Sequence, residues 1–282
     1  MGTIMYGNVV STKIREQLQD EIHSYVNKGC RKPTLAIVVV GNDDGSKSYV
    51  LSIMKACNNI GIDAKKYEFE DNVSQETLVN TINMLNGDDT VDGIIIQMPL
   101  PKHIHTQEVI ECMDPTKDVD GLTSDNVAKL YMQQKGMVPC TPKAVMRMLK
   151  EYEVDLVGKE VVVIGRSHSV GRPVSQLLVN ENATVTICHS RTKNLEDVCK
   201  RAEILVVAIG RPRFVKANWV NDGAIVVDVG VNVDESGKLC GDVDFDPILE
   251  KATLVTPVPK GVGPVTTTML LENVLESYRG RV

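Results

Sequence analysis

Four stretches of this chain are apolar and β-branched with almost no polar interruption: TLAIVVVG (34–41), KEVVVIG (159–165), AEILVVAIG (202–210) and GAIVVDVG (223–230). A strand with one wet face alternates polar and apolar residues. Unbroken runs belong to strands covered on both faces, and therefore to parallel sheets flanked by helices. DAKKYEF (63–69), VDGIIIQ (91–97) and ATVTICH (183–189) complete the strand set, and amphipathic segments around 8–28, 48–60, 74–86 and 106–113 supply helices in the first half. The reading is α/β, and 282 residues leave room for two domains. The composition breaks at GMVPCTPKAV (136–145), where two prolines bracket a polar step into a new helix. The closing helix, TTTMLLENVLESY, has nothing left in the second half to extend.

Bulk properties exclude several partners. A net charge of −6 helps binding to neither nucleic acid nor an anionic membrane, and 4% aromatic residues are too few for a base-stacking platform. The N-terminus reaches charge before any apolar run of leader length, and no stretch approaches a membrane span. Seven cysteines with no C-x-x-C pair read as reduced thiols of a cytoplasmic protein. His103 and His105 form the one local histidine pair and lack an obvious third ligand, so no metal is expected.

In the second half, VVVIGRSHSVGRPVS runs from a strand through a glycine and a polar turn into a helix opened by Gly171 and Pro173. Such a turn aims backbone N–H groups and the positive end of the helix at an anion, usually a pyrophosphate. The G-x-G-x-x-G pattern itself is absent: Gly165 and Gly171 are six apart and Ser167 stands where the second glycine would be, so a purely structural turn stays open. The next strand ends in His189, Ser190 and Arg191, without the carboxylate that grips an unphosphorylated ribose, and Arg166 sits in the turn. Two arginines and a hydroxyl suit a 2′-phosphate, favouring NADP over NAD.

Polar residues also collect at strand ends of the first half. Gln97 closes a buried strand in DGIIIQMPLP. Asp118 and Asp120 in KDVDG are either Asp-Gly turn formers or carboxylates poised to accept two parallel hydrogen bonds. TPVPKGVGPVT (256–266) is a stiff Pro/Gly loop fit to wall a site. In SYVLSIMKACNNIG (48–61), Tyr49 opens a helix. One turn later stands Ile53, and Lys55 points away, about 200° round the helix from Ile53.

Together these segments resemble the methylenetetrahydrofolate dehydrogenase/methenyltetrahydrofolate cyclohydrolase family nearly end to end, through DGIIIQMPLP, KDVDG, PCTP, VVVIGRS..VGRP, ATVTICHSRT, GAIVVDVGVN, GDVDF and TPVP.GVGP. The resemblance implies an N-terminal catalytic domain (1–141 completed by 265–282), a Rossmann-like NADP domain (142–264), a folate cleft where they meet, and a homodimer. Carried across by motif, Tyr49 stacks on the pterin, Gln97 contacts the reacting centre and Asp120 binds the pterin amidine edge. Pro259, Lys260 and Gly261 line the folate pocket. Gly165, Arg166, Ser167, Ser190 and Val231 hold the dinucleotide, with Arg191 added by the charge argument above. The implied setting is tetrahydrofolate interconversion and purine biosynthesis in the cytoplasm.

The chain departs from the family at two positions. Where the family carries Y-x-x-x-K-x-K, this chain has Tyr49, Ile53 and Lys55, so the catalytic lysine is gone; and Lys260 replaces a glycine. Oxidation of 5,10-methylenetetrahydrofolate moves a hydride to the nicotinamide with the folate nitrogens supplying the electrons. Alignment alone is worth roughly 7–11 kcal/mol in such a step. Hydrolysis of the methenyl product to 10-formyltetrahydrofolate requires proton exchange, typically worth about 10²–10⁴ in rate. Dehydrogenase activity with weak or absent cyclohydrolase activity is therefore expected. The alternatives are rescue of hydrolysis by Lys260, a non-catalytic folate or NADP binder, and an unrelated NADP-dependent dehydrogenase of the shikimate type.

Overall fold

The computed structural model describes residues 2–282, apart from the Asp44 side chain. The chain forms two compact units: one holds the residues up to Thr12 with Thr141–Thr266, the other Lys13–Cys140 with Thr267–Val282. In chain order the elements are β1 (Thr3–Ile4), α1 (Gly7–Asn27), β2 (Thr34–Val40), α2 (Asp44–Ile60), β3 (Asp63–Phe69), α3 (Gln75–Gly87), β4 (Gly93–Ile96), α4 (Thr106–Glu111), α5 (Ser124–Tyr131) and α6 (Cys140–Glu151). There follow β5 (Glu160–Ile164), α7 (Gly171–Asn180), β6 (Thr184–Cys188), α8 (Leu195–Cys199), β7 (Ile204–Val207), a 3-10 turn (Ala217–Trp219), β8 (Ile225–Asp228), the hairpin β9 (Asn232–Val233) and β10 (Leu239–Cys240), α9 (Phe245–Leu249), β11 (Leu254–Val255) and α10 (Val262–Arg279).

The three-stranded unit has a parallel sheet in the order β3-β2-β4. Central β2 is buried from Thr34 to Val39, as its unbroken apolar run requires, whereas edge strand β3 exposes Lys65 and Lys66, charges that discourage further strand addition. Leu78, Ile82 and Leu85 of α3, spaced along one helical face, pack on Val38, Ile94 and Ile96. The other face receives α10, whose Leu271, Val274 and Leu275 are fully buried. Gly93 permits that approach: a Cβ there would stand 2.6 Å from Val119 and 3.2 Å from Val274. Helix α2 starts at Asp43, whose carboxylate accepts the Ser46 N–H at 2.8 Å, and ends at Gly61 with φ +91°. Fully buried Lys117 donates to the Leu85, Asn86 and Asp88 carbonyls, placing a cation on the negative end of α3.

The six-stranded unit is parallel throughout, in the order β1-β11-β8-β7-β5-β6. Its core joins Val162, Leu205 and Val226 from the sheet to Ile248 and Leu249 of α9. The predicted strands all form, within three residues of their expected limits. The difference lies at the N-terminus, which the sequence reading grouped with residues 13–141. Strand β1 pairs with β11 (Thr3↔Leu254, Ile4↔Val255), and Gly2 N–H donates to Leu249 O at 2.7 Å, so residues 2–12 belong with the six-stranded sheet. Two-residue strands carry no periodicity to read. No helix among the described residues is long and apolar enough to cross a membrane.

Helix α10 is tied to its unit by Asn273, fully buried, whose Nδ2 donates to Val119 O (2.8 Å) and Val138 O (3.0 Å). Asn273→Ala leaves one buried and one half-buried carbonyl without that donor and is expected to destabilise the protein by about 2 kcal/mol. Urea unfolding checks this through a lower midpoint at unchanged slope.

Candidate active site

Ligands of open parallel sheets gather beyond the carboxyl ends of the strands, where the strand order reverses. In the three-stranded unit that reversal lies at β2, which has β3 on one side and β4 on the other. Gln97 directly follows β4; its backbone N–H bonds Val38 O (2.9 Å) and its Nε2 donates to Met98 O (2.8 Å), just before a cis Met98–Pro99 bond. Tyr49 lies in the second turn of α2 and is 38% exposed. One turn on, Ile53 is fully buried, and Lys55 is exposed on another face, as the helical spacing requires.

The two aspartates of KDVDG separate into two jobs. Asp118 is fully buried: its Oδ2 accepts from Thr123 N (2.8 Å) and Asn126 Nδ2 (3.0 Å), which folds the turn. Asp120 is half-buried, and its carboxylate accepts the thiol and backbone N–H of Cys140, the first residue of α6. Burial pushes the Asp120 carboxyl up to about 6, against the pull of the Cys140 hydrogen bonds and with the help of the Asp118 charge. Its charge reaches Tyr49, whose phenol is pushed up first by burial, then by Asp120 and Cys140. Sequence reasoning quoted PCTP without giving Cys140 a role, and nothing in TTTMLLENVLESY marked Asn273 as the residue that fixes Val119 beside Asp120.

In the six-stranded unit the order reverses at β5, flanked by β6 and β7. Gly165, just past β5, has φ +130°, and a Cβ there would meet Ala208 O at 2.3 Å. At the start of α7, a Cβ on Gly171 would meet Gly165 O at 2.3 Å. Ser167 turns its Oγ inward to accept the Val170 and Gly171 N–H groups, both at 3.2 Å. Those two donors are thus answered within the turn. Gly165, Arg166, His189 and Ser190 line a cavity of about 320 Å³ together with Arg211 and Phe214, which the sequence reading did not single out. Arg191 and Val231, both exposed, are not among its walls; the Arg191 N–H donates to His189 Nδ1 at 3.1 Å.

Pro259, Lys260 and Gly261 also lie in this unit. Val258–Pro259 is cis, and Lys260 adopts φ +81°, a left-handed conformation that costs an L-residue roughly 1–2 kcal/mol. The Lys260 carbonyl accepts the Gly7 N–H (2.8 Å) at the start of α1 while its side chain is exposed. A further buried pair went unread in GAIVVDVG and GDVDF. Asp242 accepts the Ile209, Gly210 and Arg211 N–H groups (2.7, 3.1 and 2.7 Å), and Asp228 accepts those of Gly230, Asp242 and Val243 (each 3.0 Å). Burial pushes Asp228 up to about 7, opposed by those N–H groups and reinforced by the Asp242 charge.

Comparison with known proteins decides the family. Residues 5–120 match the model for the tetrahydrofolate dehydrogenase/cyclohydrolase catalytic domain, and residues 139–282 that for the NAD(P)-binding domain of the same enzymes. The chain belongs to the tetrahydrofolate dehydrogenase/cyclohydrolase family. It is 49% identical over 279 residues to the Bifunctional protein FolD of Bacillus cytotoxicus, covering 99% of this chain and 97% of that one. It superposes on the Campylobacter jejuni bifunctional enzyme FolD with TM-score 0.98 at 43% identity, covering all of both chains. The Trypanosoma brucei dehydrogenase-cyclohydrolase, solved with NADP cofactor and inhibitor, gives TM-score 0.94 at 36% identity over 99% of this chain and 98% of that one. Both bacterial relatives carry the bifunctional name, which makes the Ile53 position the chief question for this member of the family.

The buried Asp228 sets a pH dependence. Its folded value of about 7 exceeds the ordinary 3.8, so between those values the folded state holds the extra proton. The stability this contributes is present at low pH and is lost as pH rises through about 7. Urea midpoints of wild type relative to Asp228→Asn are expected to fall between roughly pH 4 and 7; a flat difference refutes the assignment.

Proposed function

We propose that the protein oxidises 5,10-methylenetetrahydrofolate to 5,10-methenyltetrahydrofolate with NADP and hydrolyses the product weakly or not at all. Family membership supports the oxidation. The observation that carries the second half is Ile53: a fully buried aliphatic side chain one helical turn from Tyr49, where the family pattern carries lysine. NADP, when bound, supplies the nicotinamide that accepts the hydride. The chain fits it: Arg166 and Ser190 share one cavity, and β6 ends without a carboxylate to repel a 2′-phosphate. The NADP complex of the Trypanosoma brucei relative supports the same cofactor.

In this reading the residues divide by task. The Tyr49 ring stacks on the pterin, Asp120 accepts two hydrogen bonds from its amidine edge, and Gln97 meets the one-carbon unit. Gly165, Arg166, Ser167 and Ser190 hold the dinucleotide, with Arg191 and Val231 in outer positions, while Pro259, Lys260 and Gly261 contact folate. Residues 13–141 with 265–282 act as the catalytic domain, and 142–264, joined by the first dozen residues, as the cofactor domain. Aligning two rings asks for no proton exchange by the protein. Attack of water on the methenyl bridge does, and glutamine cannot titrate. The family resemblance alone supports a cytoplasmic homodimer serving tetrahydrofolate interconversion and purine biosynthesis.

Assaying both steps on the purified protein tests this. NADPH formation is expected at an ordinary enzymatic rate, with methenyl hydrolysis lower by about 10² or more. Ile53→Lys is expected to restore hydrolysis at some expense of stability, since it puts an amine where a buried isoleucine stood. Hydrolysis matching oxidation in the wild type overturns the proposal, and its disappearance in Lys260→Ala assigns the missing amine to Lys260. Tight folate and NADP binding with no NADPH formed indicates a non-catalytic binder instead.

Asp120 adds a pH prediction. Only its ionised form accepts both amidine hydrogen bonds, and its carboxyl is raised to about 6. KM for the folate is therefore expected to climb as pH falls through about 6, a dependence that Asp120→Asn should abolish along with most of the affinity.

A further inference from the structure

The cavity past β5 and β7 contains a cation that the motif pattern does not mark. Arg211 lies in the loop after β7, and that loop is held by a fully buried group: Asp242 accepts the N–H of Ile209, Gly210 and Arg211 in succession. The guanidinium carbon of Arg211 sits 4.3 Å from the centre of the Phe214 ring. Phe214 is braced in turn by Trp219, edge to face at 5.2 Å and 82°. A guanidinium whose face rests on an aromatic ring keeps its N–H edge for an anion, and loses less freedom when one binds. Arg211 shares the 320 Å³ cavity with Arg166, His189 and Ser190, and no Asp or Glu is among its lining residues. Arg191, the arginine favoured by the strand-end pattern, is not part of that lining.

We propose that Arg211 is a specificity-determining residue for the cofactor, acting with Arg166 and Ser190 on the 2′-phosphate of NADP in the place that the strand-end pattern gave to Arg191. This rests on the reading of the cavity as the adenosine end of the NADP site. Arg211 is exposed, but the loop clamp of Asp242 and the Phe214 shelf hold its charge in position, so that selectivity over NAD arises from a pre-placed cation.

The test compares adenosine 2′,5′-bisphosphate with adenosine 5′-monophosphate, which differ only in the 2′-phosphate, by calorimetric titration of the full chain. Wild type is expected to prefer the bisphosphate. Arg211→Gln should weaken bisphosphate binding about tenfold or more and leave the monophosphate within about twofold. Arg211→Lys should recover part of the preference, and KM for NADP should rise in Arg211→Gln with kcat unchanged. Equal weakening of both ligands in Arg211→Gln overturns the proposal in favour of stacking on adenine, and an unchanged preference in that variant overturns it outright. A wild type without any preference for the bisphosphate defeats the NADP reading itself, and the proposal with it.

Discussion

Parallel pairing is the constraint from which the rest of the structure follows. Every strand in such a sheet points the same way, so all carboxyl ends emerge along one edge, and helices must return the chain over the faces. Both units obey this. In one, the edge carries the Gln97 and Asp120 segments, with Tyr49 on the helix that leaves β2. In the other it carries the Gly165 turn, Ser190 and the 209–211 loop. Polar chemistry is concentrated where the strand order reverses because there the backbone diverges and leaves room.

The two reactions of the family make unequal demands on such an edge. Hydride transfer asks for two flat surfaces held in register, a demand that rigid strand ends suit. Hydrolysis asks for a group that gives and takes a proton beside the carbon bridge. A buried isoleucine offers volume and nothing else. Asp120 is pushed up to about 6 by burial, and its charge reaches the Tyr49 phenol.

Much of this was legible in the sequence because it was local. Unbroken apolar runs identified the covered strands, and helical spacing placed Ile53 inward and Lys55 outward. KDVDG was ambiguous for a physical reason: both aspartates suit a turn, and only tertiary partners (Thr123 and Asn126 for one, Cys140 for the other) tell them apart. What escaped was non-local. Asn273 bonds residues more than a hundred positions away, Asp242 clamps a loop some thirty residues before it, and Arg211 gains meaning from the ring beneath it. Strands β1 and β11, two residues each, carry no pattern and are defined only by each other and by β8.

The exchange of chain ends has a consequence for synthesis. The unit whose sheet contains residues 34–96 is completed by residues 267–282, whereas the unit begun by the first dozen residues is built mainly from 141–266. Emerging from a ribosome, the earlier sheet lacks the cover of α10 until after the residues of the later sheet have been translated. Amino-terminal material that waits this long for part of its cover meets its last partner only after the other unit's chain is complete, so the two units do not mature strictly in sequence order.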